Sequence, residues 1–96
     1  MPLNGKLAVV TGGARGIGLA ISETLAANGA SVIINVHENA ERAAETAARL
    51  AATHNVQTDF VVGDVALAAT ADQLARKAFG LCRRLDIYVN NAGILR

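Results

Sequence analysis

Four short runs of aliphatic and β-branched residues alternate along this chain with three stretches long enough for a helix. That alternation restricts the fold more than any other feature. Leu7-Ala8-Val9-Val10 is the first run and ends in a glycine cluster; Ser31 to Asn35 reads Ser-Val-Ile-Ile-Asn. Val56 to Val62 is a third, less uniformly apolar run, and Leu85 to Val89 is the fourth. Runs of this length and make-up read as buried strands. Between the first two, Ile17, Ile21 and Leu25 recur at every fourth position, which places them on one face of a helix extending to Asn28. Gly29 is placed to close that helix with a left-handed cap. Asn39 is expected to cap a second helix, built on Ala43, Ala44, Ala47 and Leu50 and running to about Thr53. Thr70 or Asp72 is expected to cap a third, in which Leu74, Ala78 and Cys82 share a face.

The order is therefore β-α-β-α-β-α-β. Strands separated by helices of this length pair in parallel, through right-handed crossovers. An α/β fold follows: a partial Rossmann-type doubly wound sheet with strand order 3-2-1-4, ending after the fourth strand. With 96 residues the chain has room for one small domain. Apolar residues make up 52% of it and aromatics only 3%, which suits Ala-rich helices on aliphatic strands rather than a disordered tail.

A formal net charge of +1 with interleaved signs offers no electrostatic surface for nucleic acid or an anionic membrane. The single cysteine, Cys82, excludes an internal disulfide and a cysteine-based zinc site, and His37 and His54 lack ligand-like spacing. There is no basic segment followed by an apolar run at the start, and no run approaches the roughly 18 apolar residues of a membrane span. The expected setting is soluble, reducing and cytoplasmic.

Thr11-Gly12-Gly13-Ala14-Arg15-Gly16-Ile17-Gly18 lies where the first strand passes into the first helix. In a doubly wound sheet ligands bind beyond the carboxyl ends of the strands, and a helix start offers unpaired N–H groups and a positive dipole end to a pyrophosphate. Gly12 permits a tight turn, Gly16 lets phosphate oxygens approach the backbone, and Gly18 lets the helix pack close to the sheet. An NTPase phosphate loop is excluded, because Leu19 and Ala20 follow Gly18 in place of Lys and Ser or Thr. The Gly-x-Gly-x-x-Gly fingerprint is not matched as written either; the spacing here is Gly-x-x-x-Gly-x-Gly. The plainer reading is a tight strand–helix junction with no ligand.

Thr11-Gly12-x-x-x-Gly16-x-Gly18, Asp64-Val65 after the third strand, and Asn90-Asn91-Ala92-Gly93 after the fourth together resemble the short-chain dehydrogenase/reductase family. The resemblance covers the whole chain, and the Gly5 to Gly12 opening is most similar to the 3-oxoacyl-acyl-carrier-protein reductases. It implies that Gly12, Arg15, Gly16, Ile17 and Gly18 cradle the pyrophosphate and adenosine ribose of a nicotinamide dinucleotide. It also implies that Asp64 accepts a hydrogen bond from the adenine amino group, with the Val65 N–H reaching the same ring. Asn90 would tie the central strands together, while Asn91, Ala92 and Gly93 would lie against the nicotinamide ribose. Without the resemblance, Asp64 is a turn residue or helix cap, and residues 90–93 an ordinary loop.

An Asp at the end of the second strand binds both ribose hydroxyls of NAD and repels the 2′-phosphate of NADP. By the resemblance that position is Val36, so no carboxylate occupies it. Arg15 is a cation suited to a 2′-phosphate and His37 can add a hydrogen bond, which favours NADP over NAD. Against this, Glu38 is a carboxylate within possible reach of the ribose. The plainer readings are a solvated loop arginine and an exposed histidine leading a helix.

The family's chemistry uses a Ser together with Tyr-x-x-x-Lys, the Tyr as general acid or base and the Lys lowering its pKa. No such set is present here: the only tyrosine, Tyr88, is followed four residues later by Ala92, and Ser22 and Ser31 fall in the first helix and second strand. Family members run to roughly 250 residues, so the resemblance implies that residues 1–96 are the N-terminal, incomplete part of one domain. The whole protein would transfer a hydride between NAD(P)H and a carbonyl or alcohol, and would form a homo-oligomer. The piece by itself would be catalytically inactive and poorly soluble. The competing reading is a dinucleotide-binding regulator or pseudoenzyme without catalysis. Gly80 to Asp86 is longer than the family's usual helix-to-strand turn, and Cys82 reads as a small packed residue.

Overall fold

A computed structural model describes residues 2–91. Its elements are β1 (Leu7–Thr11), α1 (Gly16–Ala27), β2 (Ser31–Val36), α2 (Ala40–His54), β3 (Thr58–Val62), α3 (Ala68–Cys82) and β4 (Ile87–Val89). The sheet has the expected order, β3-β2-β1-β4, with every pairing parallel. Side-chain alternation along the strands divides the core in two. Val10, Val32, Ile34 and Val36 face α1 and α2, meeting Ala26, Ala43, Ala47 and Leu50. Leu7, Val9, Ile33 and Val61 face α3, meeting Leu74 and Ala78, with Leu81 and Cys82 packed alongside.

The face that α1 buries is set one residue away from the expected stripe. Gly18, Ser22 and Ala26 are buried, whereas Ile17 is 49% exposed and Ile21 and Leu25 flank the core. Small side chains let the helix backbone approach the sheet, and larger ones then fit only along the margins. The helix closes as expected at Gly29 (φ 98°): the Gly29 N–H donates to Ala26 O and the Ala30 N–H to Leu25 O. Asn39 caps α2, its side-chain oxygen accepting the Arg42 N–H at 3.1 Å. Thr46, rather than Ala44, completes that helix's buried face.

Three boundaries differ from the expectation, the simplest being β3, which begins at Thr58 rather than Val56. α3 begins at Ala68 after Leu67, with no side-chain cap; Thr70 is buried in its first turn, and Asp72 is ion-paired with Arg76 at 2.9 Å. Asp64 instead sets the entry to the helix, its Oδ1 accepting the Ala66 N–H at 2.9 Å and its backbone oxygen the Leu67 N–H at 3.0 Å. An Asx turn directs the chain from outside the helix, so no cap residue is needed at the expected place. At the other end, β4 starts at Ile87 and Leu85 is exposed.

The Gly80 to Asp86 segment acquires a structural role. Arg83 ends α3 in the left-handed region (φ 58°), and Arg84 donates to Asp86 Oδ1 through Nε at 2.9 Å and Nη2 at 2.6 Å. Asp86 Oδ2 accepts the Leu7 N–H at 2.9 Å, and the Asp86 N–H donates to Leu7 O at 3.0 Å. This clasp sets the β1–β4 register, Ala8 opposite Ile87 and Val9 opposite Tyr88.

Candidate functional site

Parallel strands bring their carboxyl ends to one edge, so the loops after β1, β2, β3 and β4 converge there. A cleft of about 650 Å³ opens between them. Gly12, Arg15, His37, Asp64, Val65 and Asn91 all line it. These come from four separate loops that the tertiary structure brings together; Gly16, Ile17 and Gly18 are not among the residues lining the cleft. Ala92 and Gly93 lie outside the described residues.

The glycine loop is shaped by hydrogen bonds from neighbouring strands. Its first two amides, Gly12 N–H and Gly13 N–H, both donate to the Asn35 carbonyl oxygen, at 2.7 and 3.3 Å. Gly12 (φ 65°) and Gly16 (φ 58°) occupy the left-handed region, where a side chain is strained. A Cβ built on Gly16 meets nothing within 4 Å, so the backbone there faces open space. Gly18 is the opposite case. A Cβ there would stand 1.9 Å from Gly12 O and 2.6 Å from Asn91 Nδ2, so only glycine fits. Ile17, between them, is exposed on the helix surface.

Arg15, the residue before α1, is extended (φ −161°, ψ 165°), and no side chain caps the helix. The N–H groups of Gly16, Ile17 and Gly18 have no acceptor among the described residues. Unpaired amides at a helix start, beside a cleft, form an anion-binding arrangement.

Three buried polar residues that the sequence reading did not assign to the site hold it in shape. Asn35 is 1% exposed; its Nδ2 donates to Val61 O at 3.2 Å and Gly63 O at 3.1 Å, tying the loop after β3 to the one after β1. Ser22 Oγ lies 2.9 Å from Gly18 O and 3.2 Å from Gly13 O, spanning the glycine loop from inside α1. Thr11 Oγ1 accepts the Asn91 N–H at 2.8 Å and donates to Val89 O at 3.3 Å, joining the ends of β1 and β4. Composition alone does not mark such residues. A polar side chain inside an apolar run is their one signal, because burial forces it to find partners.

Asn91 Nδ2 donates to Gly12 O at 3.2 Å, which fixes the amide's orientation. Its Oδ1 is buried and has no hydrogen-bond partner among the described residues, leaving an acceptor at the cleft wall. Asn90 is exposed and approaches Thr11 Oγ1 only at 3.5 Å, so Asn91 does most of the joining that had been expected of Asn90. Asp64 is both the turn residue described above and a lining residue, since one carboxylate oxygen serves the Asx turn.

At the end of β2, Val36 is 7% exposed, so the last position of that strand is apolar and packed. His37 and Glu38 follow it, exposed, along the cleft. Arg42, in the first turn of α2, also lines the cleft and was not anticipated. Tyr88 is 51% exposed, faces the α3 side of β4 opposite Val9, and is absent from the cleft.

Comparison with known proteins places this arrangement. The family model described as short chain dehydrogenase matches residues 6–96. A hydroxyacyl-CoA dehydrogenase of Mycobacterium tuberculosis is 44% identical over 97 aligned residues, which cover 98% of this chain and 30% of that protein. A rhamnolipid-biosynthesis 3-oxoacyl-acyl-carrier-protein reductase of Pseudomonas aeruginosa is 45% identical, over 95% of this chain and 34% of its own. Among solved structures, a Burkholderia cenocepacia short chain dehydrogenase in complex with NADP superposes with a TM-score of 0.88 at 41% identity, over 100% of this chain and 39% of that one. L-sorbose reductase from Gluconobacter frateurii, complexed with NADPH and L-sorbose, gives 0.88 at 36% identity, over 97% of this chain and 36% of that one. The chain therefore spans about a third of the length of the relatives it matches. A parallel 3-2-1-4 sheet, a glycine loop closed against Asn91, and a match over nearly all its residues make this chain a member of the short-chain dehydrogenase family of oxidoreductases.

Proposed function

We propose that these residues bind a nicotinamide dinucleotide, NADP in preference to NAD, and serve a longer oxidoreductase that exchanges a hydride between that cofactor and a carbonyl or alcohol. The observation that carries the reading is the glycine loop: three amides at the start of α1, without an acceptor among the described residues, stand beside a cleft, over a contact that admits no side chain at Gly18. The dinucleotide would supply the hydride; the chain's own residues bind and orient it.

The residues present fit that group. Gly16, Ile17 and Gly18 would hold the pyrophosphate through backbone amides and the dipole of α1, with Gly12 shaping the turn beneath it and Arg15 adding charge. Asp64 has one carboxylate oxygen outside its turn to accept from the adenine amino group, and the Val65 amide adjoins it. The Asn91 Oδ1, without a partner among the described residues, would accept from a ribose hydroxyl, relieving a buried acceptor that otherwise costs about 1–3 kcal/mol. Ala92 and Gly93 would continue that wall. Preference for NADP rests on an apolar Val36 where NAD-specific sites need a carboxylate, with Arg15 and His37 on the same cleft. The NADP complex of the Burkholderia cenocepacia neighbour and the NADPH complex of the Gluconobacter frateurii neighbour point the same way.

Equilibrium dialysis of the chain against NADPH and NADH tests the reading. Binding of NADPH about tenfold tighter than NADH is expected, a difference of one charge-assisted contact. Equal affinity would remove the NADP preference; absence of binding by either would remove the dinucleotide reading. No turnover with any ketone is expected of the chain alone. A continuous reading frame without Ser and Tyr-x-x-x-Lys would instead support a regulator or pseudoenzyme.

A further inference from the structure

Two Asn-Gly pairs stand in the sequence, Asn4-Gly5 and Asn28-Gly29. Before a glycine, an asparagine side-chain amide carbon is open to the following backbone nitrogen, because no Cβ obstructs the approach. Whether the two atoms meet depends on what else holds them, and the fold treats the two pairs in opposite ways.

Asn28-Gly29 is held at both reacting groups. Asn28 Nδ2 donates to Thr24 O at 2.8 Å, and the Gly29 N–H donates to Ala26 O at 3.0 Å. The carbonyl between them is pinned as well, since Asn28 O accepts the Leu3 N–H at 2.9 Å. Asn4-Gly5 is held at neither. The Lys6 N–H donates to Leu3 O at 2.9 Å and closes a turn over the pair. Gly5 has φ 82° while Asn4 keeps a negative φ, the pattern of a type II turn. Both residues are exposed. Neither the Asn4 side chain nor the Gly5 N–H has a hydrogen-bond partner among the described residues. A Cβ built on Gly5 meets nothing within 4 Å, so the backbone has room to rotate.

We propose that Asn4 is a modification site, deamidating spontaneously through a succinimide while the fold protects Asn28. The Gly5 nitrogen gives up its proton to hydroxide and attacks Asn4 Cγ. A carbon–nitrogen bond forms and closes the ring; the side-chain nitrogen takes up a proton from water and leaves as ammonia. Water then adds to one of the two imide carbonyls and opens the ring to aspartate or isoaspartate. Either product places a carboxylate two residues before Lys6 and takes the formal net charge from +1 to zero. The fold keeps its hold on this segment, because the bonds that dock it lie outside the pair. Leu3 N–H is bound to Asn28 O, and Lys6 O accepts the Ser31 N–H at 2.9 Å.

Incubation of the folded chain in mildly alkaline buffer, followed by tryptic mapping, separates the two pairs, since residues 1–6 and 16–42 fall in different peptides. Deamidation at Asn4 should run at least about tenfold faster than at Asn28, whose two hydrogen bonds must open first. An isoaspartyl methyltransferase supplied with S-adenosylmethionine should label the first peptide. In urea the two rates should converge, because nothing then protects Asn28. Asn4→Gln should stop the acidic species from accumulating in the folded chain, and Asn28→Gln should leave its rate unchanged. Equal rates at the two sites in the folded chain, or a faster rate at Asn28, would overturn the inference. So would a tenfold difference that persists in urea, because the local sequence rather than the fold would then be its cause.

Discussion

Asn91 Nδ2 donates to the Gly12 carbonyl oxygen at 3.2 Å, and that same carbonyl is the atom a Cβ on Gly18 would meet at 1.9 Å. The loop after β4, the loop after β1 and the first turn of α1 therefore meet at one point. No atom there can be added without moving backbone.

Gly18→Ala is the most direct check of that junction. The obstructing atom is backbone rather than a flexible side chain, so α1 or the glycine loop must shift. A loss of about 2–4 kcal/mol in unfolding free energy is expected, together with loss of nucleotide binding. Urea denaturation and dialysis measure the two; an unchanged denaturation midpoint with unchanged affinity would refute the close contact.

Asn35→Ala removes a buried amide that bonds the Val61 and Gly63 carbonyls. A cost of about 2 kcal/mol is expected, since both acceptors lose a partner in a dry setting. The loop carrying Asp64 and Val65 should become more open to amide exchange, while amides of α2 and β1 keep their protection. Uniform loss of protection would show that Asn35 acts globally rather than on that loop.

The Asp86 clasp makes stability depend on acid pH. Hydrogen bonds from Arg84, then the Leu7 N–H, hold the Asp86 carboxyl below its ordinary range, and Arg84 is raised in turn. Glu23 is likewise lowered, first by His54 and then by Arg49. A depressed folded-state carboxyl stabilises the fold at pH above its unfolded value. That contribution is lost as pH falls through the folded value, so the decline should begin near pH 4, about where free carboxylates titrate. Asp86→Asn should be less stable at neutral pH and show a flatter decline below it. Parallel pH profiles for the two proteins would exclude the clasp as a contributor.

Val36→Asp places a carboxylate at the end of β2, where it would repel a 2′-phosphate and accept from ribose hydroxyls. NADPH affinity should drop about tenfold and NADH affinity should rise. Because Val36 is packed, some loss of thermal stability is expected as well. An NADPH preference that survives this change would mean the ribose does not lie beside Val36.

Strand order, parallel pairing and the cleft's position were legible because they follow from periodicity and chain connectivity. The aliphatic runs beginning at Leu7 and Ser31 and the helix between them leave few ways to pair. Local signals were less dependable at element ends. Thr70 looked like a cap and is instead a buried residue against Gly63, because Asp64, outside the helix, had already turned the chain. Ile17 looked like core and is exposed, because the sheet accepts only the small face of α1.

By itself, then, the sequence determined which segments become strands, where glycine permits a loop, and which family the motifs match. Those properties are written in residues close together along the chain. Tertiary structure alone decided what pins the loop: Asn35, Ser22, Thr11 and Asn91 act through bonds spanning up to 80 positions. It also decided that Arg42 lines the cleft beside Glu38. Partnerships of that kind arise only once burial removes water as the competing partner, and burial belongs to the assembled fold.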